Sequence, residues 1–169
     1  MSGVYINQGT IAGWEKNGCG IACVGMVLTI AGKEYTIENL IQETLHLKGY
    51  IEGIGWRHAA LARTIANRNI PAYSQEFTSL SNDKTLFAIG MKKIKEQVQS
   101  GNPVIVSVLR HFNPDATATH LVVITGIADD AFIVQDSDYE EGGENIAVSF
   151  DRFAQVWRGF AIFTDIPKR

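Results

Sequence analysis

The stretch "NGCGIACVGMVLTIAG", Asn17 to Gly32, sets a cysteine between two glycines directly before an apolar run with helical spacing. The thiolate is the nucleophilic form of cysteine, and the unpaired N–H groups and dipole of a helix N-terminus favour negative charge. Cys19 stands at that place. Gly18 and Gly20 carry no side chains, so a substrate carbonyl could approach the sulfur and the Cys19 amide, which could donate to a developing oxyanion. The competing reading is packing, because free cysteine is among the most buried residue types. Cys23 lies one turn on, within the apolar face and away from the glycines, and reads as core.

A cysteine nucleophile needs an imidazole to take its proton and a third group to orient that imidazole. Four histidines compete for the role. His46 and His58 sit in helical stretches among charged or small residues and read as surface positions. His111 follows "VIVSVL" in a loop rich in Asn, Pro and Asp, where a solvated histidine is common. His120 instead opens the strand "HLVVITGI", and Asp136 ends "AFIVQD", the next strand of a predicted hairpin. The start of one hairpin strand lies beside the end of its partner, so His120 and Asp136, sixteen positions apart, become neighbours. Taken singly, they read equally as an exposed strand-end histidine and a turn aspartate. Asp138 is the second candidate orienter, since a register shift of two keeps the side chain on one face.

The elements that must position these residues follow from periodicity. Met1 to Gly18 reads as an ordered loop or short edge strand. Ile21, Val24, Val27, Leu28 and Ala31 follow the spacing of an amphipathic helix that starts at or just before Cys19 and stops at Gly32. Thr36 is the N-cap of a second helix with Ile37, Leu40, Ile41 and Leu45 inward. A third helix is predicted over Trp56 to Asn67, with Ala59, Ala60, Leu61 and Ile65 inward. A fourth spans Thr85 to Ser100, with Phe87, Met91, Ile94 and Val98 inward. Gly101, Asn102 and Pro103 then end the helical part, and "VIVSVL" begins a series of strands. The hairpin follows, then "NIAVS", a short helix "FDRFAQVW" and the strand "GFAIFTDI". Helices first and antiparallel strands second predict an α+β fold in a single domain over residues 1–169.

Composition narrows the function classes. Apolar residues make up 46% and charged residues 20%, an ordinary globular balance. The net charge of −3, with basic residues dispersed along the chain, offers no stripe for a nucleic-acid backbone. No apolar stretch approaches a membrane span, and Met1 to Gly13 lacks a signal-peptide pattern, so the expectation is a cytoplasmic chain without membrane insertion. A secreted or delivered effector is the alternative if a signal was removed. The two cysteines are read as free thiols, and no second Cys or His pair completes a zinc spacing, so neither metal nor cofactor is expected. Trp14, Trp56 and Trp157 are assigned to no specificity role.

"NGCGIACVGMVL" resembles the nucleophile motif of the bacteriocin-processing, double-glycine-leader-type papain-like cysteine peptidases, of the stand-alone kind. "GNPVIVSVL", "HLVVITGIADDAFIVQDSD" and "VSFDRFAQVW" resemble, in the same order, that group's strand before the catalytic His, its His-to-Asp hairpin and its closing segment. The likeness runs from Tyr5 to Phe163 and is thinnest over Lys33 to Ser100, where only "GIGWRHAALARTIANRNI" is similar. It implies a papain-like α+β fold with Cys19 as nucleophile, His120 as general base and acid, and Asp136 as the residue that orients His120. Because the family's oxyanion glutamine precedes the cysteine, it points to Gln8, with Asn17 as the substitute. Two departures stand out: Ile21 occupies a place where Pro is common, and Gln8 lies eleven positions before Cys19, a longer gap than the papain-like pattern. The expected activity is cleavage of a peptide or amide bond in a peptide or protein substrate through an acyl-enzyme. Acyl transfer, deamidation of a protein glutamine and non-catalytic peptide binding are the alternatives on the same fold.

Overall fold

A computed structural model describes residues 3–79 and 84–168; Met1 and Ser2, part of the N-terminal stretch read as loop or edge strand, lie outside them. From Gly3 to Gly18 the chain forms no strand. It runs through a 3-10 turn at Gln8–Thr10, capped by the Asn7 side chain, and a series of tight turns.

Helix α1 spans Cys19–Ile30 and is buried over nearly its whole length, from Gly20 to Leu28. α2, Ile37–His46, is amphipathic and starts at Thr36, whose side chain accepts from the Asn39 N–H. Its inner face differs from the expected one: Leu45 is 37% exposed, and the residue buried there is Thr44, whose hydroxyl pairs with that of Thr64 at 2.9 Å.

The third helix is shorter than its sequence pattern. Tyr50–Ile51 (β1) and Gly55–Trp56 (β2) form a small antiparallel hairpin, so Trp56 is a strand residue and α3 covers His58–Ala66. Arg57 is extended (ψ 122°) and serves as N-cap, which delays the helix. The inward face of α3 is Ala60, Leu61, Ala62, Thr64 and Ile65, and Ala59 faces out.

Strand β3, Ala72–Glu76, was not expected; it is an edge strand, largely exposed, and lacks the alternation that marks a half-buried strand. α4, Thr85–Gln99, buries Ile94 and Val98, and Phe87 and Met91 in part. The remaining elements are β4 Val104–Leu109, β5 Thr119–Ala128, β6 Ala131–Gln135, β7 Ile146–Ser149, α5 Phe150–Val156 and β8 Trp157–Thr164.

Six strands form one antiparallel sheet in the order β3-β8-β4-β5-β6-β7. Both faces of its centre are covered, which is why "VIVSV" is a continuous apolar run rather than an alternating one. On one face, Ile105, Leu121, Val123 and Ile162 pack with α1, α2 and α3. On the other, Val104, Val106, Val122, Ile124, Phe132 and Val134 pack with α4 and α5. The arrangement is α+β, and the packing of α1 against β5 brings the N-terminus of the one to the start of the other.

Candidate active site

Cys19 is the first residue of α1, preceded by Gly18, which offers no side-chain cap. The leading N–H groups of a helix have no intrahelical acceptor, so the Cys19 amide is free to meet a substrate oxygen. The sulfur lies at the wall of a cleft of about 390 Å³ whose lining includes Gln8, Asn17, Trp56, His58, Arg110, His120 and Asp138. Cys23, one turn on, is fully buried, and burial pushes its thiol well above the ordinary value.

The glycines around Cys19 have a different use from the expected one. A side chain on Gly20 would meet the Trp56 ring at 2.7 Å, and one on Gly18 would meet the Trp14 carbonyl at 2.8 Å. The space they leave is filled by protein, so they let the Trp14 and Trp56 segments pack close rather than opening a path for substrate. Trp56 also donates from Nε1 to the Asn17 carbonyl at 2.6 Å and packs within 5.0 Å of the Tyr50 and Trp14 rings. These contacts tie the β1–β2 hairpin to the turn that presents Cys19.

His120 and Asp136 meet. The His120 Nε2 to Asp136 Oδ1 distance is 2.6 Å, with the histidine 6% exposed and the aspartate fully buried. The hairpin register, with Val123 opposite Gln135, carries the chain ends to this contact. His120 is also hydrogen-bonded to the Cys19 side chain, which leaves its Nδ1 for the sulfur. Burial opposes the imidazolium, but the hydrogen bonds and charges of Asp136 and Cys19 outweigh it and push His120 up to about 10.

Asp136 Oδ1 also accepts from the Asp138 N–H at 3.0 Å, whereas Oδ2 is buried with no hydrogen-bond partner among the described residues. A carboxylate so poorly solvated gains most from a cation, and His120 is the cation within reach. The backbone of Asp136 is pinned as well: its N–H donates to the Gly143 carbonyl at 2.8 Å, and its carbonyl accepts from the Tyr5 hydroxyl at 3.0 Å. Gly143 is required there, because a Cβ would collide with both the Asp136 carbonyl and the Tyr5 hydroxyl.

Gln8 is 3% exposed and reaches the same cleft. Its Oε1 accepts from Ser137 Oγ at 3.0 Å, and its Nε2 donates to the Glu15 carbonyl at 3.1 Å and faces Asp138 Oδ1 at 3.5 Å. Asn17, the substitute for Gln8, also lines the cleft, but its side chain makes no hydrogen bond among the described residues. Asp138 makes no hydrogen bond to His120 among the described residues; it pairs with Arg110 Nε and, at 3.2 Å, with His111 Nε2.

His111 is exposed, as expected of a loop histidine, and pairs with Asp138, its ring 4.7 Å from that of Tyr139 and tilted to it, with a left-handed φ of 55°. His58, read as a surface position, is half-buried at the cleft wall, its ring 5.2 Å from that of Phe160, and burial lowers its pKa. Arg110, Ser107 and Trp56, to which no site role was given, also line the cleft; only the motif-like "GIGWRHAAL" carried a signal for Trp56 and His58. Among the described residues, no group of three or more His, Cys, Asp or Glu could hold a metal ion, and no helix is long and apolar enough to cross a membrane.

The fold has known relatives. A Bacillus anthracis protein assigned as a C39-like peptidase superposes with a TM-score of 0.68 at 17% identity, over 98% of this chain and 95% of that one. The peptidase domain of Streptococcus ComA, a bifunctional ABC transporter of a quorum-sensing pathway, gives 0.64 at 19% identity, over 90% and 93%. A double-glycine-motif protease from an AMS/PCAT transporter, solved with its leader peptide, gives 0.59 at 17% identity, over 88% and 84%. At such identities these likenesses establish the papain-like fold alone. No curated protein matches the sequence. The sequence profile of the peptidase C39-like family, however, matches residues 4–161, nearly the whole length over which the fold and the cleft are built. On that match the chain belongs to the peptidase C39-like family.

Proposed function

We propose that the chain is a cysteine peptidase that cleaves a peptide bond through a thioester acyl-enzyme. The observation that carries this reading is His120, held on Nε2 by a buried Asp136 at 2.6 Å while its other nitrogen faces the sulfur at the start of α1. A histidine raised to about 10 holds a proton at neutral pH, the form needed to protonate a leaving amine. Family membership and a fold shared with a protease that holds its leader peptide support a peptide as the substrate.

In this scheme the Cys19 thiol gives its proton to His120 Nδ1, the resulting thiolate attacks the scissile carbonyl, and the carbonyl electron pair moves onto its oxygen. The oxyanion accepts from the Cys19 N–H and from Gln8 Nε2. The intermediate collapses with cleavage of the C–N bond as His120 Nδ1 gives its proton to the departing nitrogen, leaving a thioester. His120, now neutral, takes a proton from water, whose oxygen attacks the thioester carbonyl, and the C–S bond breaks to release the acid. Asp136 touches no reacting atom; it fixes the ring orientation and stabilises the imidazolium.

The test is hydrolysis of a peptide library by the wild type and by Cys19→Ala, read by mass spectrometry. The expected result is hydrolysed products from the wild type and none from the variant. Products that persist in Cys19→Ala, or a wild type that only binds peptides, would remove the reading. Products that carry an added amine would replace hydrolysis with acyl transfer, and deamidated glutamine would replace cleavage with deamidation.

A further inference from the structure

The acceptor-only partners of the Gln8 amide fix which way it points. A backbone carbonyl (Glu15, 3.1 Å) and a carboxylate oxygen (Asp138, 3.5 Å) can only accept, so both must face Nε2. The opposite end, Oε1, then requires a donor, and Ser137 Oγ supplies it at 3.0 Å from a fully buried position. The Ser137 carbonyl also accepts from the Gln8 backbone N–H at 2.9 Å, so this residue grips Gln8 at two points across 129 positions of sequence. Of the two Nε2 hydrogens, the one toward Asp138 is the loosely held one, free to turn to a stronger acceptor.

We infer that Ser137 is a positioning residue that orients the Gln8 amide so that its N–H, and not its carbonyl, faces the cleft. The three consecutive residues Asp136, Ser137 and Asp138 then organise both halves of the site: Asp136 sets the base, and Ser137 sets the oxyanion donor. Without the Ser137 hydroxyl, a buried Oε1 loses its donor, and the amide is held in its direction by the Glu15 carbonyl and the Asp138 carboxylate alone, so its N–H is aimed less firmly at a developing negative charge. The inference rests on the reading that Gln8 serves the oxyanion.

The experiment compares the wild type, Ser137→Ala, Gln8→Ala, the near-isosteric Gln8→Glu and the double variant Gln8→Ala/Ser137→Ala, each checked for native fold by circular dichroism. Three quantities are read: kcat and KM on a peptide, affinity for a peptide aldehyde whose hemithioacetal oxygen occupies the oxyanion position, and the rate of Cys19 alkylation by iodoacetamide, which forms no oxyanion. Removal of the donor in either Gln8 variant is expected to lower kcat about a hundredfold or more. Ser137→Ala is expected to lower kcat and aldehyde affinity by about five- to tenfold, with KM and the alkylation rate unchanged, and to add nothing in the Gln8→Ala background.

Gln8 variants that match the wild type would overturn the Gln8 reading and this inference with it. Deleterious Gln8 variants combined with a Ser137→Ala enzyme of full kcat and aldehyde affinity would overturn this inference alone. So would a Ser137→Ala loss that is equally large with Gln8 absent, or one matched by slower alkylation, because either places the effect elsewhere in the site.

Discussion

His120 and His58 line the same cleft and are driven in opposite directions. His120 is the more deeply buried, at 6% exposure, yet its pKa is raised to about 10; half-buried His58 falls below the ordinary 6.5. Burial disfavours the imidazolium in both, so depth does not decide. The partner does: Asp136 Oδ1 stands 2.6 Å from one ring, whereas the other has the Phe160 ring as a neighbour at 5.2 Å. A cleft that placed a histidine without a buried carboxylate would hold a neutral ring, unable to protonate a leaving group at neutral pH.

The largest expected effect comes from taking that carboxylate away. If the chain hydrolyses peptides as proposed, Asp136→Ala should lower kcat/KM about a thousandfold or more on any such peptide. A loss below about tenfold would mean that the ring is oriented by something else.

Next in size is the pH dependence. With His120 raised, kcat/KM should hold through neutral pH and decline on the alkaline side with an apparent value near 10, and Asp136→Asn should move that decline toward neutrality. Stability carries the same sign. Because the folded value exceeds the ordinary 6.5, the His120 contribution is fully present below pH 6.5 and is lost as pH rises toward about 10. Urea unfolding from pH 6 to pH 10 should therefore show a declining midpoint that is flatter in His120→Ala. Equal slopes in the two proteins would break the link between this proton and the fold.

A smaller effect tests the converse. Phe160→Glu would set a carboxylate against His58, and the imidazole NMR titration should move from below 6.5 to above it. An unmoved titration would show that the aromatic neighbour is not what distinguishes the two rings. The smallest expected change is that of His58→Ala, which should alter kcat/KM by less than about tenfold and chiefly through KM, as for a wall residue. A collapse of kcat comparable to that of Asp136→Ala would dissolve the contrast between the two histidines.

What the sequence disclosed, and what it withheld, divides by the range of the interaction. The start of α1 at Cys19, the Thr36 cap and the hairpin that joins His120 to Asp136 are local, written in periodicity and turn spacing. β3 was not legible, because an exposed edge strand needs no apolar alternation; its existence depends on pairing with β8, about ninety positions later. Gly18 and Gly20 looked like access for substrate and proved to be packing space, a fact that depends on Trp14 and on Trp56 in another element. His58 was misplaced for the same reason, since the Phe160 that covers it comes from β8. The hold of Ser137 on Gln8 joins two loops 129 positions apart, and no pattern in either loop announces it.

The central claim is that Cys19 is made nucleophilic by His120, whereas Cys23, four residues along the same helix, is packing. A peptide vinyl-sulfone probe, incubated with the wild type and with His120→Ala and mapped by tandem mass spectrometry, tests it most directly. The account requires labelling of the wild type at Cys19 and not at Cys23, with labelling lost in His120→Ala. A folded wild type that is not labelled, or a His120→Ala variant labelled at the same rate, would contradict it.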